Sequence, residues 1–155
     1  MISAPAARPE DVASIDAIVA ALYDVISGPA GQPRDWNRMR SLFIPGGRLM
    51  PTGVRPTGEV VMRLLEVNDY IAVSGPQLER IGFREREIAR RTEQFGHIAH
   101  VFSTYDGHTE TDSTHIRGIN SIQLLNDGHR WWVISVYWEA ERPDTPLPAK
   151  YLETN

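Results

Sequence analysis

The sequence predicts an α+β domain in which N-terminal helices pack across one face of a mostly antiparallel sheet. Three observations predict it. Apolar residues recur every three or four positions from Val12 to Ile26, the period of an amphipathic helix. From Phe83 onward the period changes, and four long runs rich in β-branched and aromatic residues follow one another. The connections between those runs are shorter than the dozen or so residues of a parallel crossover, so sequence neighbours must pair antiparallel.

Residues 1–9 are rich in Ala and Pro and are expected to form a flexible segment ahead of a domain spanning residues 10–139. Val12, Ile15, Ile18, Val19, Leu22 and Ile26 make the first helical stripe, with Glu10 and Asp11 at its positive end. Ser27-Gly28-Pro29 stops it. Asp35 is the expected N-cap of a short second helix through Trp36, Met39, Leu42 and Phe43. Pro45-Gly46-Gly47 reads as a turn before a short strand at Arg48–Met50, and the breakers Pro51, Gly53, Pro56 and Gly58 as loop. A second short strand is expected at Val60–Leu64. A third helix follows over Leu65–Leu78, interrupted at Ser74-Gly75-Pro76.

The long strands are expected at Phe83–Arg91, Ile98–Tyr105, His115–Leu125 and Arg130–Glu139. Asn126-Asp127-Gly128 is the strongest turn signal, because Asp-Gly accepts positive φ at both central positions of a tight hairpin. Trp131–Trp138 is apolar on both faces. One face suits the core and the other a second subunit, so a homodimer is expected. Residues 140–155 form a Pro-rich arm in which Leu147, Tyr151 and Leu152 have something to bury against a neighbour; a frayed end is the alternative.

At 155 residues the chain is the size of one domain, and 41% hydrophobic with 23% charged residues excludes a disordered or fibrous chain. A net charge of -4 argues against a nucleic-acid partner. The densest basic run, Arg84 to Arg91, is interleaved with Glu85 and Glu87 and reads as a solvated face or an inter-subunit ladder. The absence of cysteine removes thiolate nucleophiles, disulfides and cysteine-based metal sites. No run of 18 apolar residues and no apolar signal core in Met1–Pro9 occur, so a cytoplasmic protein with no membrane partner is expected.

The order helix, short helix with Trp36, "LFIPGGRLMP", helix, then strands containing "FREREIARRTEQFGHIAHVFSTYD", "GINSIQLL" and "WWVISVYWEAE" resembles the NTF2-like superfamily, in particular its small bacterial SnoaL-like members. Gly96, Ala99, Val101 and Tyr105 with Gly118-Ile119-Asn120-Ser121 carry the likeness, which spans Asp11 to Glu139. The resemblance implies a cone, with a strongly bent sheet wrapped on helices around an internal pocket, often dimeric through the sheet. Such proteins include a ketosteroid isomerase, polyketide cyclases, an epoxide hydrolase, dehydratases and transport adaptors. A shared shape does not choose among them.

The isomerase likeness puts Tyr23 where an oxyanion-binding tyrosine would stand, but places the base near Met50 or Pro51, neither of which takes a proton. An Asp-Arg-Asp water-activating cluster could draw on Asp35, Asp69 and Asp112 with Arg40, Arg91 or Arg117, yet no spacing ties these together. A cyclase needs an acid or base, for which His100 is the candidate; the plain alternative is a histidine bonded across the sheet. Asn120, mid-strand in an apolar run, must find partners, either a ligand or a sheet bulge. Trp36 and Trp138 are candidate pocket walls or ordinary core.

His97 and His100 fall on opposite strand faces, and His108, Glu110, Asp112 and His115 read as a solvated connection, so no metal and no cofactor are expected. The expectation is therefore a binder of a small apolar organic ligand, with Tyr23, Trp36, His100, Asn120 and Trp138 around it. If catalytic, it would be a cofactor-free cyclase, isomerase or dehydratase in which His100 carries the proton and Tyr23 or Asn120 holds the oxyanion. The alternative is a non-catalytic binding or assembly module.

Overall fold

The computed structural model describes residues 4–155. Of the segment expected to be flexible, residues 1–3 lie outside the described residues. Ala7 packs on the core and Arg8 reaches Asp35 at 3.3 Å, so its end is docked.

The first helical stripe is two helices. α1 (Pro9–Val12) starts on a proline, whose missing N–H costs nothing there. Ser14 is then extended and accepts a bond from the Ala17 N–H at 3.0 Å, which starts α2 (Ile15–Ile26) afresh. α2 buries Ile18, Val19, Leu22, Tyr23 and Val25. α3 (Trp36–Leu42) is capped by Asp35, which accepts from the Arg38 N–H at 2.9 Å.

α4 (Val67–Ile81) runs straight through Pro76, where an interruption was expected. A proline deprives the carbonyl four residues earlier of its partner, and that carbonyl belongs to Ala72, on an exposed turn that water reaches. A Glu66–Asp69 capping box starts the helix. Gly82 ends it at φ 70°, donating to the Leu78 carbonyl.

The strands are β1 (Phe43–Val54), β2 (Val60–Met62), β3 (Leu65–Glu66), β4 (Phe83–Phe95), β5 (Ile98–Thr109), β6 (His115–Asn126) and β7 (Trp131–Ala140). They form one sheet in the order β2-β1-β7-β6-β5-β4, with β3 also paired to β1. Pro45-Gly46-Gly47 is not a turn. It is an irregularity inside β1, where the register shifts between Phe43 and Arg48. The β1–β7 pair is parallel, the exception in an otherwise antiparallel sheet. Its partners are the first and last strands in sequence, so α4 and the other strands supply the crossover.

The loop after β6 is also not a tight two-residue turn. Only Gly128 takes a positive φ, while Asp127 accepts from the backbone N–H groups of His129 and Arg130, both at 2.8 Å. Further register shifts, with Ile88 of β4 unpaired between Glu87 and Ala89 and Ile134 of β7 unpaired opposite Gln123/Leu124, bend the sheet over the helices. The core fills the concave side with Ile18, Met39, Leu42, Phe43, Val101, Ile122, Leu124 and Val133.

The C-terminal arm lies on the convex face of its own sheet, neither reaching away nor frayed. Arg91 donates to the Lys150 carbonyl at 2.7 Å, Tyr151 packs edge-on to Phe102, and the Thr92 N–H donates to Asn155. Among the described residues no helix is long and apolar enough to cross a membrane.

Candidate functional site

Between α2, α4 and the concave face of β4–β7 lies a cavity of about 340 Å³. That is within the range of small-molecule sites, about 300–1,000 Å³. Leu22, Ile26, Met39, Leu49, Ile122 and Val136 make most of its wall apolar. Its exposed lining residues are Gln77 on α4 and Thr114 and Ile116 at the start of β6, so the mouth lies there.

Strand alternation decides which side chains face inward. On β5, Ser103 and Tyr105 point to the helices, whereas His100 and Phe102 point to the convex face. His100 bonds Ser121 across the sheet at 2.8 Å and sits beside Phe102. It does not open into the cavity beside Tyr23, so the proton-carrying role expected of it has no place there. Trp36 is also outside the cavity. It is wedged against Gly75 of α4, where a side chain would crowd its ring, and donates from Nε1 to Glu79 at 2.8 Å. Tyr23, Asn120 and Trp138 do line the cavity. Trp138 stands edge-on to Tyr70 at 6.0 Å.

The polar end of the cavity centres on Glu85 of β4. The run from Arg84 to Arg91 is not one uniform ladder, because the bulge at Ile88 swaps faces midway. Phe83, Glu85 and Glu87 turn toward the helices, Arg84 and Arg86 toward solvent; beyond the bulge Arg90 points inward to Asp16 and Arg91 outward to the arm. Burial in this apolar setting raises the Glu85 carboxyl to about 7, and a 3.4 Å bond from the Asn120 amide opposes that only in part.

Asn120 is held from its other side. Arg90 grips Glu87 at 2.9 and 2.7 Å, Ser103 donates to Glu87, Tyr23 lies 2.7 Å from Ser103, and Asn120 donates to the Tyr23 oxygen at 3.1 Å. With the single Ser103 proton directed to Glu87, the Tyr23 proton goes to Ser103. Tyr23 therefore positions Asn120 and is not a free donor to the cavity. Two other phenols are free: among the described residues neither the Tyr70 nor the Tyr105 hydroxyl has a hydrogen-bond partner, and both line the cavity. Burial first, and then the Glu85 charge, push both well above the usual tyrosine range, so they stay protonated donors.

The aspartates and arginines considered for water activation are scattered. Asp35 and Asp69 cap helices, Asp112 closes its own loop with Thr109 and Thr114, Arg40 holds Asn68, and Arg117 holds Glu141. Among the described residues, side chains that could share a metal converge at Asp106, His108 and His115, on the convex face.

No protein-family model matches the chain, and no curated protein matches it. Solved structures do. A protein of Kribbella flavida superposes with a TM-score of 0.63 at 12% identity, over 84% of this chain and 90% of its own. A protein of Parabacteroides distasonis with a provisional assignment as a ketosteroid isomerase gives 0.54 at 14% identity, over 84% and 90%. An NTF2-like protein of unknown function from Silicibacter pomeroyi gives 0.51 at 15% identity, over 83% and 94%. The chain has the NTF2-like fold. At these identities the likeness extends to the fold alone. Within this NTF2-like fold, the strand position at which the resemblance placed an isomerase base still holds Met50 and Pro51, and the cavity carboxyl comes from β4 instead.

Proposed function

We propose that the cavity binds a small, largely apolar carbonyl compound and that Glu85 moves a proton on it without a cofactor, an isomerase-type reaction. One observation carries the reading: a carboxyl raised to about 7 by burial shares an apolar cavity with two phenol hydroxyls that have no hydrogen-bond partner among the described residues. A carboxyl poised there is a base and an acid in turn near neutrality. Glu85 takes the proton from the carbon beside the carbonyl. The electron pair moves onto the carbonyl oxygen, which accepts hydrogen bonds from Tyr70 and Tyr105. Protonated Glu85 returns the proton to a carbon of the conjugated system, and nothing is oxidised or reduced. Asn120 holds the carboxyl in place.

The test is α-hydrogen exchange of 2-tetralone in D₂O, followed by NMR. The native chain should accelerate exchange at least tenfold over buffer, with a rise through pH 7. Glu85→Gln should return it to the buffer rate, and His100→Gln should leave it unchanged. An exchange rate in Glu85→Gln equal to that of the native chain overturns the reading, as does no acceleration at all. Proton transfer without a fixed second subunit is sufficient for this chemistry; dimerisation through the convex face is a separate proposal, checked by the mass of the protein in solution.

A further inference from the structure

We infer that Asp106, His108 and His115 form a surface site for one zinc-class divalent ion, independent of the cavity chemistry. The His108 and His115 Nε2 atoms both point at the same Asp106 oxygen, at 3.3 and 2.6 Å. The two rings are stacked 4.3 Å apart and within 2° of parallel. All three candidate ligand atoms lie within 4.8 Å of one another. Zinc bound at about 2.0–2.1 Å in a tetrahedron spaces its ligand atoms about 3.3 Å apart, so the required adjustment is small.

Backbone pairing fixes this geometry. His108 and His115 are directly opposed across β5 and β6, and Asp106 lies two residues before His108 on the same face. The Asp106 side chain is only 13% exposed, and its second oxygen faces Arg86 at 3.4 Å. An outer partner of that kind orients a ligand and leaves the first oxygen for the ion. Arg86 itself is mostly exposed and free to move, and the neighbouring Arg117 is occupied by Glu141 at 2.7 Å. Both imidazoles are half-exposed, which leaves the remaining coordination positions to water.

Two imidazoles and one carboxylate suit zinc, nickel, cobalt and copper and disfavour magnesium and calcium, which prefer oxygen ligands. The site spans the base of the loop that joins β5 to β6. Thr109 and Thr114, at the two ends of that loop, line the cavity. A bound ion would thus tie the rim of the mouth together from the outside.

The test uses the full chain after chelator treatment, titrated calorimetrically with ZnCl₂ and, by absorption, with CoCl₂. One equivalent should bind, MgCl₂ should not compete, and amide exchange should slow across residues 107–116. His108→Gln and His115→Gln should each weaken binding at least tenfold, whereas His97→Gln should not change it. Circular dichroism confirms that each variant is folded. Absence of a one-equivalent phase, or native binding in the His108→Gln/His115→Gln double variant, overturns the inference. Neither result bears on Glu85, whose exchange assay contains no metal.

Discussion

The Tyr23 hydroxyl lies 2.7 Å from the Ser103 hydroxyl, although the two residues are 80 positions apart in the chain. This contact joins α2 to the sheet and passes the orientation set by Arg90 and Glu87 on to Asn120. Tyr23→Phe keeps the ring and removes the link, leaving an Asn120 N–H without its buried acceptor. A loss of about 1–3 kcal/mol in unfolding free energy is expected. Because Ser103→Ala cuts the same chain, the double variant should cost less than the two single losses added together. Strict additivity in urea unfolding would show that the two hydroxyls act separately.

Stability should depend on pH through Glu85. Its folded carboxyl is raised from 4.5 to about 7, so between these values the folded state holds a proton that the unfolded state has released. Stability contributed by the protonated form is complete below about pH 4.5 and is lost as pH rises to about 7. The full loss is at most about 3–4 kcal/mol, since each pKa unit is worth about 1.4. Glu85→Gln carries no charge and should be more stable than the native chain at pH 8, with the gain shrinking toward pH 5. A gain of equal size at both pH values would remove Glu85 as its source.

Glu85 was the part of the site least legible in the sequence. The alternation Arg84, Glu85, Arg86, Glu87 reads as a solvated strand, and a strict two-residue period through Ile88 hides the bulge that puts Glu85 and Arg90 on the same side. Phe83 carried the available signal: an apolar residue two before Glu85 marks that face as inward. That Tyr23, Asn120 and Trp138 line the cavity is legible because a polar or bulky residue in an apolar stripe has few places to go. His100 falls outside the cavity wall because parity along β5 separates it from Tyr105 and Ser103. The parallel β1–β7 pair was equally invisible, since short connections constrain only strands adjacent in sequence.

Gly118 permits the close approach that sets Tyr105 in the cavity wall. A Cβ added there would overlap both the Glu139 carbonyl oxygen and the Tyr105 hydroxyl. The carbonyl belongs to the paired strand and cannot swing aside, so the sheet must shift or Tyr105 must leave. Gly118→Ala should therefore cost about 1–3 kcal/mol and lower the rate of 2-tetralone exchange as well. Native stability and exchange in this variant would show that the β6–β7 pair has room to spare.

Asp11 and Arg38 make the acid-sensitive tie between α1 and α3. Two bonds of 2.8 and 2.9 Å join them, and the Arg38 guanidinium holds the Asp11 carboxyl below the usual carboxylate range despite its burial. A lowered folded pKa contributes stability above the ordinary aspartate range, lost as pH falls through the folded value. Asp11→Asn should destabilise the chain at pH 7 by roughly 3 kcal/mol, because it leaves Arg38 with the exposed Asp24 alone. The difference from the native chain should narrow as the pH falls below the ordinary aspartate range, which thermal unfolding at graded pH would reveal.

Arg34 holds the front of the fold together through carbonyl oxygens. All five of its guanidinium hydrogens are used: Nε donates to Ile26, one terminal nitrogen to Pro29 and Gln32, and the other to Gly28 and Leu78. Ile26 ends α2 and Leu78 lies in the last turn of α4, so two negative helix ends converge on one buried cation. A side chain at Gly28 would strike the guanidinium, which is why the chain passes there as glycine. Lysine keeps the charge but offers three donors from a single point, leaving carbonyls buried without partners. Arg34→Lys should thus cost nearly as much as Arg34→Met, about 3 kcal/mol or more by denaturant unfolding. If lysine restored native stability, charge alone would be sufficient and the planar fork would have no special part in closing the helical layer.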